Sequence, residues 1–194
     1  MAYKLTRGID NLTEYNLGGI SHIWLLNIDD FIAYQFRDDS LYNSGYVDAV
    51  YKSAPFFDLG CVDETNLKET FGNGVYKQEL STFVHTLNED TLNWVQHAMH
   101  GKYLIIFRTI SDRYFTFGSD GGAKLSYSGQ TGQTGEINGV TIKLEKNSIY
   151  PIFEVHSNAV STSLLVSQFL SCITTEESDI TNINYIIELN EQKS

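Results

Sequence analysis

Apolar and polar residues alternate with a period of two along most of residues 20–155, the pattern of half-buried β-strands. In the first such run, residues 20–27, Ile20, Trp24 and Leu26 share one face, and Ile23 and Leu25 the other. A strand apolar on both faces is buried on both, or buried on one and in contact with a neighbouring subunit on the other. Further strands are predicted after a short connection at 31–34, at 46–51, and at 56–59 with Val62. Residues 40–44 carry turn chemistry, and 63–68 read as a loop or short strand. Gly72-Asn73-Gly74 predicts a tight turn ahead of a long strand at 75–84. The run 102–108 reads as a fully buried strand, and Ser111-Asp112 turns it into an antiparallel return at 113–117. Asn138-Gly139 is a hairpin signal before 140–145, and 149–155 is a strand that Pro151 would kink or place at an edge.

One stretch follows the other period. Leu92, Val95 and Met99 recur at helical spacing, which predicts one face of a helix over about 89–100. Asn88 is a suitable N-cap, Glu89 and Asp90 suit the first turn, and Gly101 suits the position just past the end. Residues 118–136 are glycine-rich, with a Gln-Thr-Gly-Gln-Thr-Gly centre that predicts a long mobile loop broken by a short strand at 123–127. The expected organisation is an N-terminal arm (1–19), a β core (20–156) and a C-terminal extension (157–194) packed on that core. The extension suits a helix or two strands in its first half, and a last strand where Ile183, Tyr185, Ile187 and Leu189 alternate.

The composition narrows this picture. The chain has 194 residues, 42% of them hydrophobic, with 12 Tyr and 11 Phe, as expected of a mainly β globular protein. Its formal net charge of −11 argues against a cationic grip on nucleic acid and against a polybasic membrane anchor. Cys61 and Cys172 form no CxxC pair, so two unpaired core thiols are expected rather than a disulfide scaffold or a thiolate zinc site. The first residues lack the apolar stretch of a signal peptide, and no apolar run is long enough to span a bilayer.

No catalytic constellation emerges, and no catalysis, cofactor or metal is expected. His97 and His100 stand three apart on the predicted helix, without the i, i+4 spacing and the Glu of a metalloprotease helix. Gly118-Ser119-Asp120-Gly121-Gly122 resembles a phosphate loop loosely, but it lies between two strands and leads into no helix. The pairs Asp29-Asp30, Asp38-Asp39, Glu89-Asp90 and Glu176-Glu177 fall at loops or caps, where carboxylates are solvated. The tyrosines, among them Tyr34, Tyr46, Tyr51 and Tyr76, could form a glycan- or protein-binding face, or pack as strand residues wet at the hydroxyl.

The order strand 75–83, helix at 92–95, buried strand 102–108, aromatic strand 114–117 ending in Gly118, Gly121-Gly122-Ala123, Ser128-Gly129 and hairpin strand 136–144 resembles tail proteins of tailed bacteriophages. It is most similar to the tail-tube-like set from phages of gut Bacteroidetes, including the crAss-like kind. The resemblance covers about half of the chain, from about Glu64 to Val155, and rests on order and texture. It implies an antiparallel β-sandwich or barrel with one helix and a structural, non-enzymatic role in the virion. Such a protein forms a six- or twelve-fold homo-oligomeric ring of the tail or head–tail connector. Its partners would be neighbouring tail, portal or connector rings, with double-stranded DNA as non-specific passing cargo. The loop Gly129, Gln130, Thr131, Gly132, Gln133, Thr134 and Gly135 is the candidate inter-subunit segment, able to order on a neighbouring ring. The alternative is a β-sandwich module that binds glycan or protein.

Overall fold

The computed structural model describes residues 18–37, 45–61, 63–85, 87–130 and 138–158. The expected turn at 40–44, Val62, Asp38-Asp39, loop residues 131–135 and Cys172 lie outside them, as do nearly all of the arm and the extension. The described chain is mainly β, with one short helix and a mixed, open sheet. Its strands are β1 (Ile20–Asn27), β2 (Phe31–Phe36), β3 (Tyr46–Lys52), β4 (Phe57–Cys61), β5 (Asp63–Gly72), β6 (Val75–Val84), β7 (Lys102–Thr109), β8 (Tyr114–Phe117), β9 (Ala123–Gln130), β10 (Gly139–Ser148) and β11 (Phe153–Val155). A single 3-10 turn joins β1 to β2, and helix α1 (Glu89–Ala98) joins β6 to β7.

The centre of the molecule is the antiparallel pair β1–β7, apolar and buried on both faces. On one side, Ile23 and Leu25 of β1 and Tyr103, Ile105 and Phe107 of β7 pack against Leu80, Leu125, Ile142 and Leu144. On the other, Leu26, Leu104 and Ile106 pack against Val47, Val50, Phe153 and Val155. Ile20 departs from the expected alternation: it joins Ile23 and Leu25 rather than Trp24 and Leu26. The pairing with β7 slips between Ile20 and His22, and such a bulge reverses the facing of every residue before it.

Strand order runs β2-β3-β11-β8-β7-β9-β10-β6-β5, and β4 pairs with the other edge of β1. The sheet forks at β7. One edge of β7 carries β1; the opposite edge carries β8 along Ile105–Arg108 and β9 at Lys102 and Tyr103. The Gly-rich turn between β8 and β9 makes this fork. Gly118 and Gly122 have φ of +94° and +79°, and a Cβ would sit 2.8 Å from the Tyr103 carbonyl oxygen at Gly118 and 2.6 Å from Lys102 Cβ at Gly122. Only glycine accepts both the backbone conformation and the approach. The Gly122 amide closes the turn by donating to the Gly118 carbonyl at 2.8 Å.

All the pairs are antiparallel except β3 with β11. The wholly antiparallel expectation fails here for a geometric reason. β3 and β8 run in opposite directions, so a strand laid between them must be parallel to one. The same placement corrects the reading of Pro151. It precedes an interior strand of three residues, and neither kinks a longer strand nor marks an edge. The strand expected over 149–155 is shortened to Phe153–Val155, and Ile149 and Tyr150 form an exposed bend after β10.

The segment 63–68 belongs to a ten-residue strand, β5, joined to β6 by Asn73 and Gly74, both left-handed at φ +54° and +78°. That is a two-residue turn whose twist matches the flanking strands. Gly139 is not a turn residue: it lies in β10 opposite Gln130, and a Cβ there would collide with Phe83 and the Val84 carbonyl. Helix α1 starts as expected, with Asn88 Oδ1 accepting from the Thr91 amide at 2.8 Å, a cap worth about 1 kcal/mol. It ends at Ala98, two residues early, because the buried stripe is Val95 and Ala98, while Met99 is exposed. Tyr103 holds that end to β7 through its hydroxyl, which donates to the Ala98 carbonyl at 2.9 Å.

Candidate functional site

Of the candidate inter-subunit residues, Gly129 and Gln130 form the end of β9, paired with Val140 and Gly139 of β10. The strand predicted to stop at Tyr127 continues to Gln130, because β10 offers it a partner along its whole length. Thr131, Gly132, Gln133, Thr134 and Gly135 lie outside the described residues.

The other candidates stay apart. His97 lies in the last turn of α1 and His100 beyond its end. Among the described residues, no group of three or more His, Cys, Asp or Glu is placed to hold a metal ion, and no helix is long and apolar enough to cross a membrane. Asp29 and Asp30 sit in the 3-10 turn, where Asp30 accepts from Ser53 Oγ at 3.0 Å; Glu89 and Asp90 open α1. The tyrosines form no common face. Tyr34 turns its hydroxyl to Thr116 Oγ1 at 2.8 Å, Tyr46 lies under the Arg37 guanidinium, Tyr51 donates to Gln35 at 2.6 Å, and Tyr76 packs on Phe71. Thr116 in turn donates to the Ile105 carbonyl at 2.9 Å, so β2, β8 and β7 are joined through one hydroxyl chain. Burial raises the Tyr34 phenol above its ordinary range, and the hydrogen-bonding contacts with Thr116 and Ser119 offset only part of that rise.

What the sequence did not mark are the two ends of the strand path. Among the described residues β2 pairs only with β3, and β5 only with β6. Among the described residues, each has one edge of backbone donors and acceptors that no strand pairs with. Both carry exposed apolar side chains: Ile32 (52% exposed) and Phe36 on β2, and Phe71 (65% exposed) at the tip of the β5–β6 hairpin. Both ends are also stiffened. Arg37 grips Asp48 through two guanidinium nitrogens, at 3.1 and 2.9 Å, which ties β2 to β3 and raises the already high Arg37 pKa. Phe36 and Tyr34 each meet Phe153 edge-on, with ring centroids 5.2 and 6.1 Å apart. At the other end, Thr65 and Thr82 hydroxyls bond across the β5–β6 pair at 2.7 Å. The only sequence signal for these edges was negative: residues 63–70 have too few apolar side chains to be held by burial.

No protein-family model, curated protein or solved structure matches this chain.

Proposed function

We propose that the protein is a structural subunit that self-associates head to tail into a ring, in the manner of tail-tube and head–tail connector proteins of tailed bacteriophages. The observation that carries this reading is the pair of unlike strand edges, β2 and β5, at the two ends of one hydrogen-bonded path. Joining the β2 edge of one copy to the β5 edge of the next uses two different surfaces. Such a contact repeats from copy to copy, and closes into a ring when the rotation allows. Ile32, Phe36 and Phe71 supply apolar area at that junction.

The finer architecture belongs to the same reading. β4 pairs with β1, and after one residue the chain continues as β5 on β6, so the strands around the larger apolar cluster curl toward one another. This favours a tail-tube-like barrel or sandwich, completed by neighbours in the ring. The ring would lie in the virion tail or connector, contact further rings above and below, and pass double-stranded DNA. A net charge of −11 suits a conduit that must not hold phosphates.

The test is light scattering on the full chain across a wide concentration range, followed by negative-stain imaging. Rings or stacked tubes are expected. Ile32→Lys on β2, or Phe71→Asp on β5, should each shift the mass toward monomer while leaving the circular dichroism unchanged. A chain that stays monomeric at every concentration overturns the self-association reading and leaves the binding-module alternative.

A further inference from the structure

Charge is sorted between the two ends of the strands around the larger apolar cluster. β6 has Lys77 near its start, and the chain beyond its end reaches Glu89-Asp90. β7 starts at Lys102 and leads into Asp112. Strand pairing then brings like to like. Lys77, Lys102, Lys124 of β9 and Lys146 of β10 gather at one end. At the opposite end, Thr65 and Asn66 near the start of β5 face Thr109, the last residue of β7, across one cavity, so Glu64 and Asp112 belong to the same end. Val84, the last residue of β6, shares a groove there with Asp58 of β4 and Asp90 of α1.

The two ends differ in sign. Beside the lysines stand Glu69, Asp120 and Glu145, and the first two are engaged within the chain. Asp120 lies 3.4 Å from Lys146 Nζ and accepts from the Ile149 amide at 3.0 Å. Glu69 accepts from the Gln78 amide group at 2.8 Å and from the Ile152 amide at 2.9 Å. Among the described residues, Lys77, Lys102 and Lys124 are exposed and have no carboxylate within ion-pair distance. At the other end Asp58, Glu64, Glu89, Asp90 and Asp112 are all exposed. Two cations stand against them: Arg113 is taken up by Glu154 at 2.7 Å, and Arg108 lies 3.8 Å from Asp112.

Each end also offers an exposed aliphatic side chain just past a strand. Ile149 follows β10 at the lysine end, and Ile110 follows β7 at the carboxylate end; they are 65% and 55% exposed. Two copies of net charge −11 repel at long range. At 0.1 M salt that repulsion is screened beyond about 10 Å, while facing surfaces of opposite sign still attract at contact. The surface that complements the lysine end is therefore carried by the molecule itself.

We propose that copies of this protein join end to end, the lysine end of one copy seated on the carboxylate end of the next, with Ile149 and Ile110 drawn into the contact. The two surfaces are different, so the contact repeats from copy to copy. This deepens the self-association reading and rests on it for the partner, a second copy of the chain. The contact runs along the strands, whereas the one between β2 and β5 is lateral, and it forms whether or not a ring closes.

The test is light scattering on the full chain carrying Ile32→Lys, which blocks the lateral contact. Its mass should rise with concentration in 0.1 M NaCl and return to monomer in 1 M NaCl, where screening reaches in to about 3 Å. On that background, Lys77→Glu with Lys102→Glu and Lys124→Glu should weaken association by about tenfold or more, and so should Glu64→Lys with Asp90→Lys and Asp112→Lys. The second set makes the chain less negative overall, so its monomers could not come from stronger general repulsion. Mixing the two reversed chains should restore association, since each then meets an end of opposite sign. All six side chains are exposed, and circular dichroism checks the fold. If a reversed chain unfolds, Lys102→Gln with Lys124→Gln is the milder variant and should also weaken association. The proposal is overturned if Ile32→Lys is monomeric at both salt concentrations, if association ignores salt, or if the mixture stays monomeric. The first of these results leaves the lateral reading standing wherever the unaltered chain still forms rings.

Discussion

The two sides of the β1–β7 pair are built differently. The larger cluster has fifteen buried residues, mostly aliphatic, closed by the hairpins β5–β6 and β9–β10 and by α1. The smaller has seven, with aromatic rings around them, and is closed by β2, β3 and the three-residue β11. The smaller side also carries directional ties: Tyr34 to Thr116, Arg37 to Asp48, and Arg113 to Glu154 at 3.0 and 2.7 Å. Where apolar area is short, hydrogen bonds and ion pairs hold the strands in register. The larger side should therefore respond most to lost volume, and the smaller to lost polar partners.

Substitutions on each side can break that contrast. Leu144→Ala, fully buried in the larger cluster, should cost about 2–5 kcal/mol, read from the urea midpoint. Val50→Ala in the smaller cluster should cost about 2 kcal/mol, since less is removed and the site lies closer to an edge. Equal losses would mean that the two sides form one core in energetic terms.

Much of this architecture was legible in the sequence, and the missing parts share a cause. β6, β7 and the start of α1 were readable because their alternation or periodicity reports burial directly. β5 was not, because Asp63, Asn66, Lys68 and Glu69 are held by backbone pairing to β6. The parallel placement of β11 and the bulge before His22 depend on distant strands, which no local pattern encodes. The two edges of the candidate site were hidden for the same reason: β2 and β5 become the ends of the strand path only through pairings between strands distant in sequence.

Smaller effects sharpen the comparison. Tyr34→Phe should cost about 1 kcal/mol near neutral pH, since Thr116 keeps its bond to Ile105. It should also alter the alkaline limb of the stability curve. The raised phenol pKa gives stability that is complete below the ordinary value of 10.0 and is lost as pH climbs beyond it. Melting of the wild type should fall more steeply above that pH than melting of Tyr34→Phe.

Lys52 should give the smallest effect, with the opposite sign. It is buried on β3 with its amine 3.9 Å from the Phe56 ring centroid, and burial lowers its pKa. Between that lowered value and the ordinary 10.5 the unfolded chain binds more protons, so stability from this group rises with pH. Lys52→Met should add up to about 1 kcal/mol at neutral pH and remove that rise. A loss of stability would instead show that the cation–ring contact is net favourable.

The pairing of β1 with β7 sets the order in which the chain can assemble. Ser21 bonds to the Arg108 carbonyl across 87 positions, so the central strands meet only after a very long loop closes. The β5–β6 and β9–β10 hairpins are local and can form early. Until β1 docks, one edge of β7 stands open in the folding chain. Folding of such a non-local topology is slow, in the range of milliseconds to seconds. Over that interval the half-made sheet exposes its stickiest strand, Leu104-Ile105-Ile106-Phe107, to other nascent copies.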